Sequence, residues 1–199
     1  EPEIYEGLKA RAARHGRTVA MTLIAAFAET MAAWSDDRRF LLNLPVFSRD
    51  TSVEGVEHVV SDFSDILLLE ADCRNSETFS ERLDRIGGRF LEDMAHRSVN
   101  GVQLARRIAA TGGPSVGLAP VVFACNLGER LLSSTCEEYL GELEFMTSQT
   151  PQVQIDCQAF DHRHGLRLSW DAASGLYPED MVRTMFEAFV DLVRRLAHS

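Results

Sequence analysis

One acid stands among strand-forming residues in the segment Ser148-Gln149-Thr150-Pro151-Gln152-Val153-Gln154-Ile155-Asp156-Cys157-Gln158. The segment reads as a polar loop running into a strand. Strand alternation puts Val153, Ile155 and Cys157 on one face, and Gln152, Gln154, Asp156 and Gln158 on the other. Asp156 is then either turned to solvent on a polar strand or held in a cleft, where an acid near amides handles protons. Earlier in the chain, Ala119-Pro120-Val121-Val122-Phe123-Ala124-Cys125-Asn126 is an apolar run that turns small and polar at its end. If the two strands are neighbours, their ends form one wall of an active site.

The other reactive side chains give weaker signals. The histidines are His15, His58, His96, His162, His164 and His198. His162 and His164 share a turn, but no third ligand accompanies them, so a hairpin surface is favoured over a metal site. The cysteines are Cys73, Cys125, Cys136 and Cys157, with no CxxC pair. That spacing fits buried or site-lining thiols of a cytoplasmic protein better than zinc or a disulfide framework. Cys125 and Cys157 have no adjacent His, and no GxSxG elbow is present. Gly112-Gly113 is followed by no GK[ST] and is no phosphate loop.

The 199 residues suffice for one substantial core, with 45 % apolar and 25 % charged residues as in an ordinary globular domain. A net charge of −10 argues against a nucleic-acid surface, which needs clustered Lys and Arg. No apolar run approaches the roughly 20 residues of a membrane helix. The acidic start, Glu1-Pro2-Glu3-Ile4-Tyr5-Glu6, lacks the order of a signal peptide.

Positioning elements follow from periodicity. Helices are expected over Glu3 to Arg14, stopped by His15-Gly16, and over Thr22 to Trp34, ended by Ser35-Asp36-Asp37. Phe40 to Phe47 and Ile66 to Ala71 read as strands, the second buried on both faces. Ser76 offers an N-cap for a helix from Glu77 to about Arg97, with Phe79, Leu83, Ile86, Phe90 and Met94 on one face. Asn100 caps a helix from Gly101 to Ala110. Strands are then expected over Pro120 to Asn126, Glu142 to Met146, Gln152 to Phe160 and Leu166 to Asp171. His162 to Gly165 makes a hairpin of the last two. Pro178 opens a final helix running to about Ala197. The order describes one α/β domain with a mixed β-sheet flanked by helices.

Several segments resemble, in order, the C-terminal half of a heterocyclization domain of nonribosomal peptide synthetases, a branch of the condensation-domain superfamily. Met21 to Ser35 resembles a helix ending in Trp-Ser. Leu42-Asn43-Leu44-Pro45-Val46-Phe47-Ser48-Arg49 resembles a strand ending in Phe-Asn-Arg. Ser61-Asp62-Phe63-Ser64 resembles Gly-Asp-Phe-Thr, and Pro120-Val121-Val122-Phe123 resembles Pro-Val-Val-Phe-Thr-Ser. Ser148 to Gln158 resembles the Ser-Gln-Thr-Pro-Gln-Val motif, and Leu168-Ser169-Trp170-Asp171 a late strand. The matches span nearly the whole chain. Nothing matches the DxxxxD motif of the branch's opening half.

The resemblance implies a chloramphenicol-acetyltransferase-like subdomain over residues 1–199, with the N-terminal subdomain missing and the catalytic channel lying between the halves. An isolated half is expected to be inactive and to expose an apolar patch where its partner sits. The implied activity joins a carrier-bound acyl thioester to Cys, Ser or Thr and cyclodehydrates the amide to a thiazoline or oxazoline. No cofactor is bound directly; substrates ride on phosphopantetheine of donor and acceptor carrier domains, beside an adenylation domain. The motif's acid carries over to Asp156. The hydroxyl of Pro-Val-Val-Phe-Thr falls on Ala124, which has no hydrogen-bonding side chain. Cys125 takes the following Ser, Ser64 replaces Thr, Gln154 stands where an aromatic is common, and Gln158 completes the lining. Ala124 keeps open two alternatives, condensation without ring closure and a silent domain that docks carriers.

Overall fold

The computed structural model describes residues 2–47, 49, 52–97, 99–113, 118–148, 150–163 and 165–198. Ser48, Gln149 and His164, which figured in the motifs and the hairpin, lie outside these. The chain begins with α1 (Pro2–Arg14) and α2 (Val19–Ala33), followed by β1 (Arg39–Phe47) and β2 (Ser64–Asp72). Next come α3 (Phe79–Ala95), α4 (Gly101–Ala110), β3 (Val121–Arg130) and α5 (Ser134–Leu140). It ends with β4 (Ile155–His162), β5 (Gly165–Ala172) and α6 (Met181–His198).

The strands form one mixed sheet in the order β2-β1-β3-β4-β5. β1 and β2 pair antiparallel, as do β4 and β5, whereas β1–β3 and β3–β4 are parallel. Parallel strands need long crossovers, and the chain passes from β1 to its parallel neighbour β3 by way of β2, α3 and α4.

The two sheet faces differ in chemistry. One carries Leu42, Leu44, Leu67, Leu69, Phe123, Ile155, Cys157 and Ala159, all buried. Against it pack Leu23, Phe27 and Ala28 of α2 and Met185, Phe189 and Val193 of α6. Ala25, Ala26 and Ala28 of α2 are completely buried, as a helix pressed closely onto a sheet requires. Thr22 and Thr30 on α2 return their hydroxyls to Thr18 and Ala26 carbonyls at 3.0 and 2.9 Å, so neither hydroxyl is left without an acceptor. Arg82 of α3 is also buried, and its guanidinium meets Glu29 of α2 at 2.8 Å and Glu77 at 3.2 Å. This ion pair ties α3 to α2.

The opposite face is only partly covered. Gly101 starts α4 so close to β2 that a Cβ there would lie 2.7 Å from Ile66 Cγ2 and 2.8 Å from the Ile66 carbonyl oxygen. Gly101→Ala is expected to destabilise the chain by about 1–3 kcal/mol, because backbone must move to admit the methyl. Urea denaturation measures this.

Several element ends differ from expectation for local reasons. α3 is capped by Thr78, not Ser76. Thr78 Oγ1 accepts from Glu81 N–H, and Glu81 reaches back to Thr78 N–H at 2.8 Å, a reciprocal box that Ser76 lacks. α2 begins at Val19 because Thr18 accepts from Met21 N–H at 3.1 Å. α6 starts at Met181, after a turn in which Pro178 accepts from Met181 N–H. Glu142 to Met146 forms no strand; Glu142 instead ion-pairs with Arg163, and the Leu143 carbonyl accepts from Arg167 at 2.5 Å. The short α5 was not expected, although Ser133 supplies its cap, accepting from Cys136 N–H at 3.2 Å. Tyr139 and Leu140 at the end of α5, and Phe145 beyond it, are each about four-fifths exposed.

Candidate functional site

β4 lies between β3 and β5, with Val122 beside Asp156 on one side and Asp171 on the other. Ala124 pairs with Gln158, two residues along. The motif strands are thus neighbours. Asn43 of β1 stands in register with Val122, so Asn43, Val122, Asp156 and Asp171 form one row across the face opposite α2 and α6. Gln158 and Ala124 belong to the next row, roughly 7 Å along the strands.

Asp156 is 6 % exposed, and its Oδ1 has no hydrogen-bond partner among the described residues. Asn43 Oδ1 and Gln158 Oε1 are also buried and unpartnered. Buried polar atoms without partners are uncommon in folded proteins. Three on one face mark a surface prepared for something polar.

Asp156 lines a cavity of about 410 Å³ with Thr147, Ser148, Thr150, Val153, Asp171 and Ser174. An adjoining cavity of about 260 Å³ holds Asn43 among Ile66, Leu68, Val102 and Leu118. Thr150 and Val153 border both. They flank a turn in which Val153 N–H donates to the Thr150 carbonyl at 3.3 Å. Gln152 in that turn has φ 69°, a left-handed conformation that is costly for a residue with a Cβ. The turn delays β4 to Ile155, which is why the strand starts later than its sequence pattern.

The remaining candidates are dispersed. Gln154 is exposed and lines neither cavity; its backbone is engaged, with N–H to the Pro120 carbonyl and its own carbonyl to Ala173 N–H. Ser64 is exposed at the start of β2, paired with Phe47. Three strand spacings and four residues of offset put it roughly 20 Å from Asp156. Cys125 packs against the helix-side core with Phe123 and Cys157, so it stands on the face away from Asp156. Strand alternation forces this, since Ala124 and Cys125 cannot share a face. Asn43 and Asp171, in contrast, reach the site without having been singled out. The register connecting β1 to β3, a long-range property, is what brings Asn43 there.

Cys73, Cys125 and Cys157 are not poised as nucleophiles. Burial, with the charge of Asp161 nearby, pushes the Cys125 thiol from 9.0 up to about 12. Burial likewise raises Cys73 and Cys157, while Cys136 is exposed. One rapidly reacting thiol is therefore expected in the native chain and four after denaturation, as counted with a chromogenic disulfide reagent. The raised thiols also give a sign for alkaline pH. Between about 9 and about 12 Cys125 stays protonated when folded but ionises when unfolded. The folded state then binds more protons, so stability falls as pH rises through that window. Cys125→Ala should flatten this decline in denaturation curves.

Among the described residues no group of three or more His, Cys, Asp or Glu is placed to hold a metal ion. No helix among them is long and apolar enough to cross a membrane.

Comparison with known proteins places these features in a family. Pyochelin synthetase PchF of Pseudomonas aeruginosa is 41 % identical over 197 residues, covering 98 % of this chain and 11 % of PchF. Phenyloxazoline synthase MbtB of Mycobacterium tuberculosis is 36 % identical over 199 residues, covering 99 % of this chain and 14 % of MbtB. The chain thus spans between a tenth and a seventh of these relatives' length. The cyclization-docking bidomain of the nonribosomal peptide synthetase EpoB from Sorangium cellulosum superposes with a TM-score of 0.86 at 31 % identity, covering all of this chain and 41 % of that one. The condensation-domain model matches residues 1–199, and the chain belongs to the condensation-domain family.

Proposed function

We propose that this chain is the C-terminal half of a heterocyclization domain in a nonribosomal peptide synthetase, with an N-terminal subdomain completing the channel. Donor and acceptor carrier domains present thioesters on phosphopantetheine arms, and an adenylation domain loads the acceptor. The observation carrying this reading is the buried Asp156 carboxylate, unpartnered at Oδ1, beside a polar cavity.

Ring closure needs what such an acid supplies. After the amide forms, the side-chain SH or OH of the new Cys, Ser or Thr attacks the amide carbonyl carbon. A bond from S or O to carbon forms, and the carbonyl oxygen becomes a hydroxyl. That oxygen then departs as water while carbon and nitrogen form a double bond. The two hydrogens in the water come from the attacking group and the amide nitrogen. Asp156 takes one of them and returns it to the leaving oxygen, a general base and then acid. The two relatives with ring chemistry in their names, phenyloxazoline synthase and the EpoB cyclization bidomain, support the assignment.

Ala124 favours a second reading, in which the domain makes the open-chain amide only. Gln158 bears on the choice, since its carboxamide stands beside Ala124 on the same face. It offers a hydrogen-bonding group where the methyl of Ala124 offers none. Reconstitution of the synthetase with loaded carriers decides the matter by mass spectrometry. A product lacking one water relative to the amide supports ring closure. An accumulated amide supports the second reading, and no product from competent carriers leaves only a docking domain. The 199-residue chain by itself is expected to form no amide.

A further inference from the structure

The Asp156 cavity contains a second carboxylate that the proton transfer does not use. Asp171 lies directly across the β4–β5 ladder from Asp156, and both line the cavity. Like charges at directly opposed positions repel. Their hydrogen-bonding is unequal. Thr147 Oγ1 donates to Asp171 Oδ1 at 3.1 Å, and Ser148 N–H donates to Asp171 Oδ2 at 2.8 Å. Ser148 Oγ lies 3.3 Å from Thr150 Oγ1, which continues the contact toward the turn. Both oxygens of Asp171 are engaged by this segment, while Asp156 Oδ1 has no partner among the described residues.

The geometry points to Asp171 as a positioning residue for the chemistry of Asp156. It draws Thr147 and Ser148 onto the sheet, so that Thr147, Ser148 and Thr150 wall the cavity. It also takes the Thr147 hydroxyl and the Ser148 N–H, leaving the Asp156 carboxylate for substrate. This role rests on the proton transfer proposed for Asp156, but the anchor itself is a property of the fold. The residue types agree with the division of labour. An acid on β5 attracts a backbone N–H strongly because the hydrogen bond is charge-assisted, which a neutral side chain does less well.

The test uses Asp171→Ala, Asp171→Asn and Thr147→Val, with two readouts. Amide hydrogen exchange in the 199-residue chain reports the anchor at Ser148. The ratio of ring to open-chain amide in the intact synthetase reports the chemistry. Asp171→Ala is expected to speed Ser148 exchange by about tenfold or more, the factor a hydrogen bond to a charged group carries. Cys157 on β4 keeps its protection. Ring formation falls by a similar factor with amide formation retained. Asp171→Asn keeps an acceptor oxygen and restores part of both, and Thr147→Val gives a smaller loss of both. Should Asp171→Ala unfold the chain, exposing Cys157, the Asn and Val variants decide by the same readouts. Unchanged Ser148 exchange overturns the anchor. Faster Ser148 exchange with an unchanged ring-to-amide ratio overturns the link to Asp156. A wild-type synthetase that closes no ring removes the role proposed for Asp156, and the exchange result then judges the anchor separately.

Discussion

Asp156→Asn in the intact synthetase is expected to lower ring formation by about 100-fold or more, the lower range of what a positioned proton-transfer group contributes. The open-chain amide should accumulate in its place. The asymmetry arises because forming the first amide consumes a thioester, a good electrophile, whereas ring closure must activate an amide. Asn is close to Asp in shape, so the strand pairing with Val122 and Asp171 is retained. It also relieves the repulsion across the ladder to Asp171. A variant at least as stable as the parent, yet unable to close the ring, separates chemistry from folding. Time courses of amide and ring, resolved by mass spectrometry, make the measurement. Rings formed at the parental rate would remove Asp156 from the mechanism.

The acid was legible in the sequence, but its surroundings were only partly so. Strand alternation is local and was sufficient to put Asp156 and Gln158 on one face and Cys157 on the other. The same rule, applied to β3, separates Ala124 from Cys125, yet similarity of motif suggested that both line the site. Ser64 illustrates a different failure. It sits in a segment with a motif-like pattern, but its distance from Asp156 depends on the strand order β2-β1-β3-β4. No local pattern encodes strand order. Asn43 and Asp171 were missed for the same reason, since each comes beside Val122 or Asp156 only through register. The segment from Glu142 to Met146 alternates like a strand, but its ties to the β4–β5 hairpin run through Arg163 and Arg167 side chains. Alternation alone cannot tell a laddered backbone from one held by guanidinium groups.

The site face depends on the packing beneath it, and Phe27 is where that dependence is greatest. Phe27 is wholly buried on α2. Its ring centre lies 5.2 Å from Phe123, 5.3 Å from Trp170 in an edge-on contact, and 5.8 Å from Phe189. These partners come from β3, β5 and α6, so one ring joins α2 to two strands and the last helix. Phe27→Ala is expected to cost about 3–5 kcal/mol, from lost transfer energy and the cavity left behind. That is a large part of the roughly 5–15 kcal/mol that stabilises a typical domain. A domain of this size loses about 2–4 °C in Tm per kcal/mol, so a fall of roughly 10 °C is expected. Phe27→Leu, which keeps most of the volume, should cost about 1.5 kcal/mol or less if its neighbours repack. Trp170 provides the readout, since it packs on Phe27 and Phe189 while the second tryptophan, Trp34, is 41 % exposed. A urea midpoint that falls with an unchanged slope marks a loss of stability alone. Phe123 and Trp170 immediately precede Ala124 and Asp171, on the strands that flank Asp156. A loosened core there should therefore reduce amide and ring formation together, unlike Asp156→Asn, which stops only the ring.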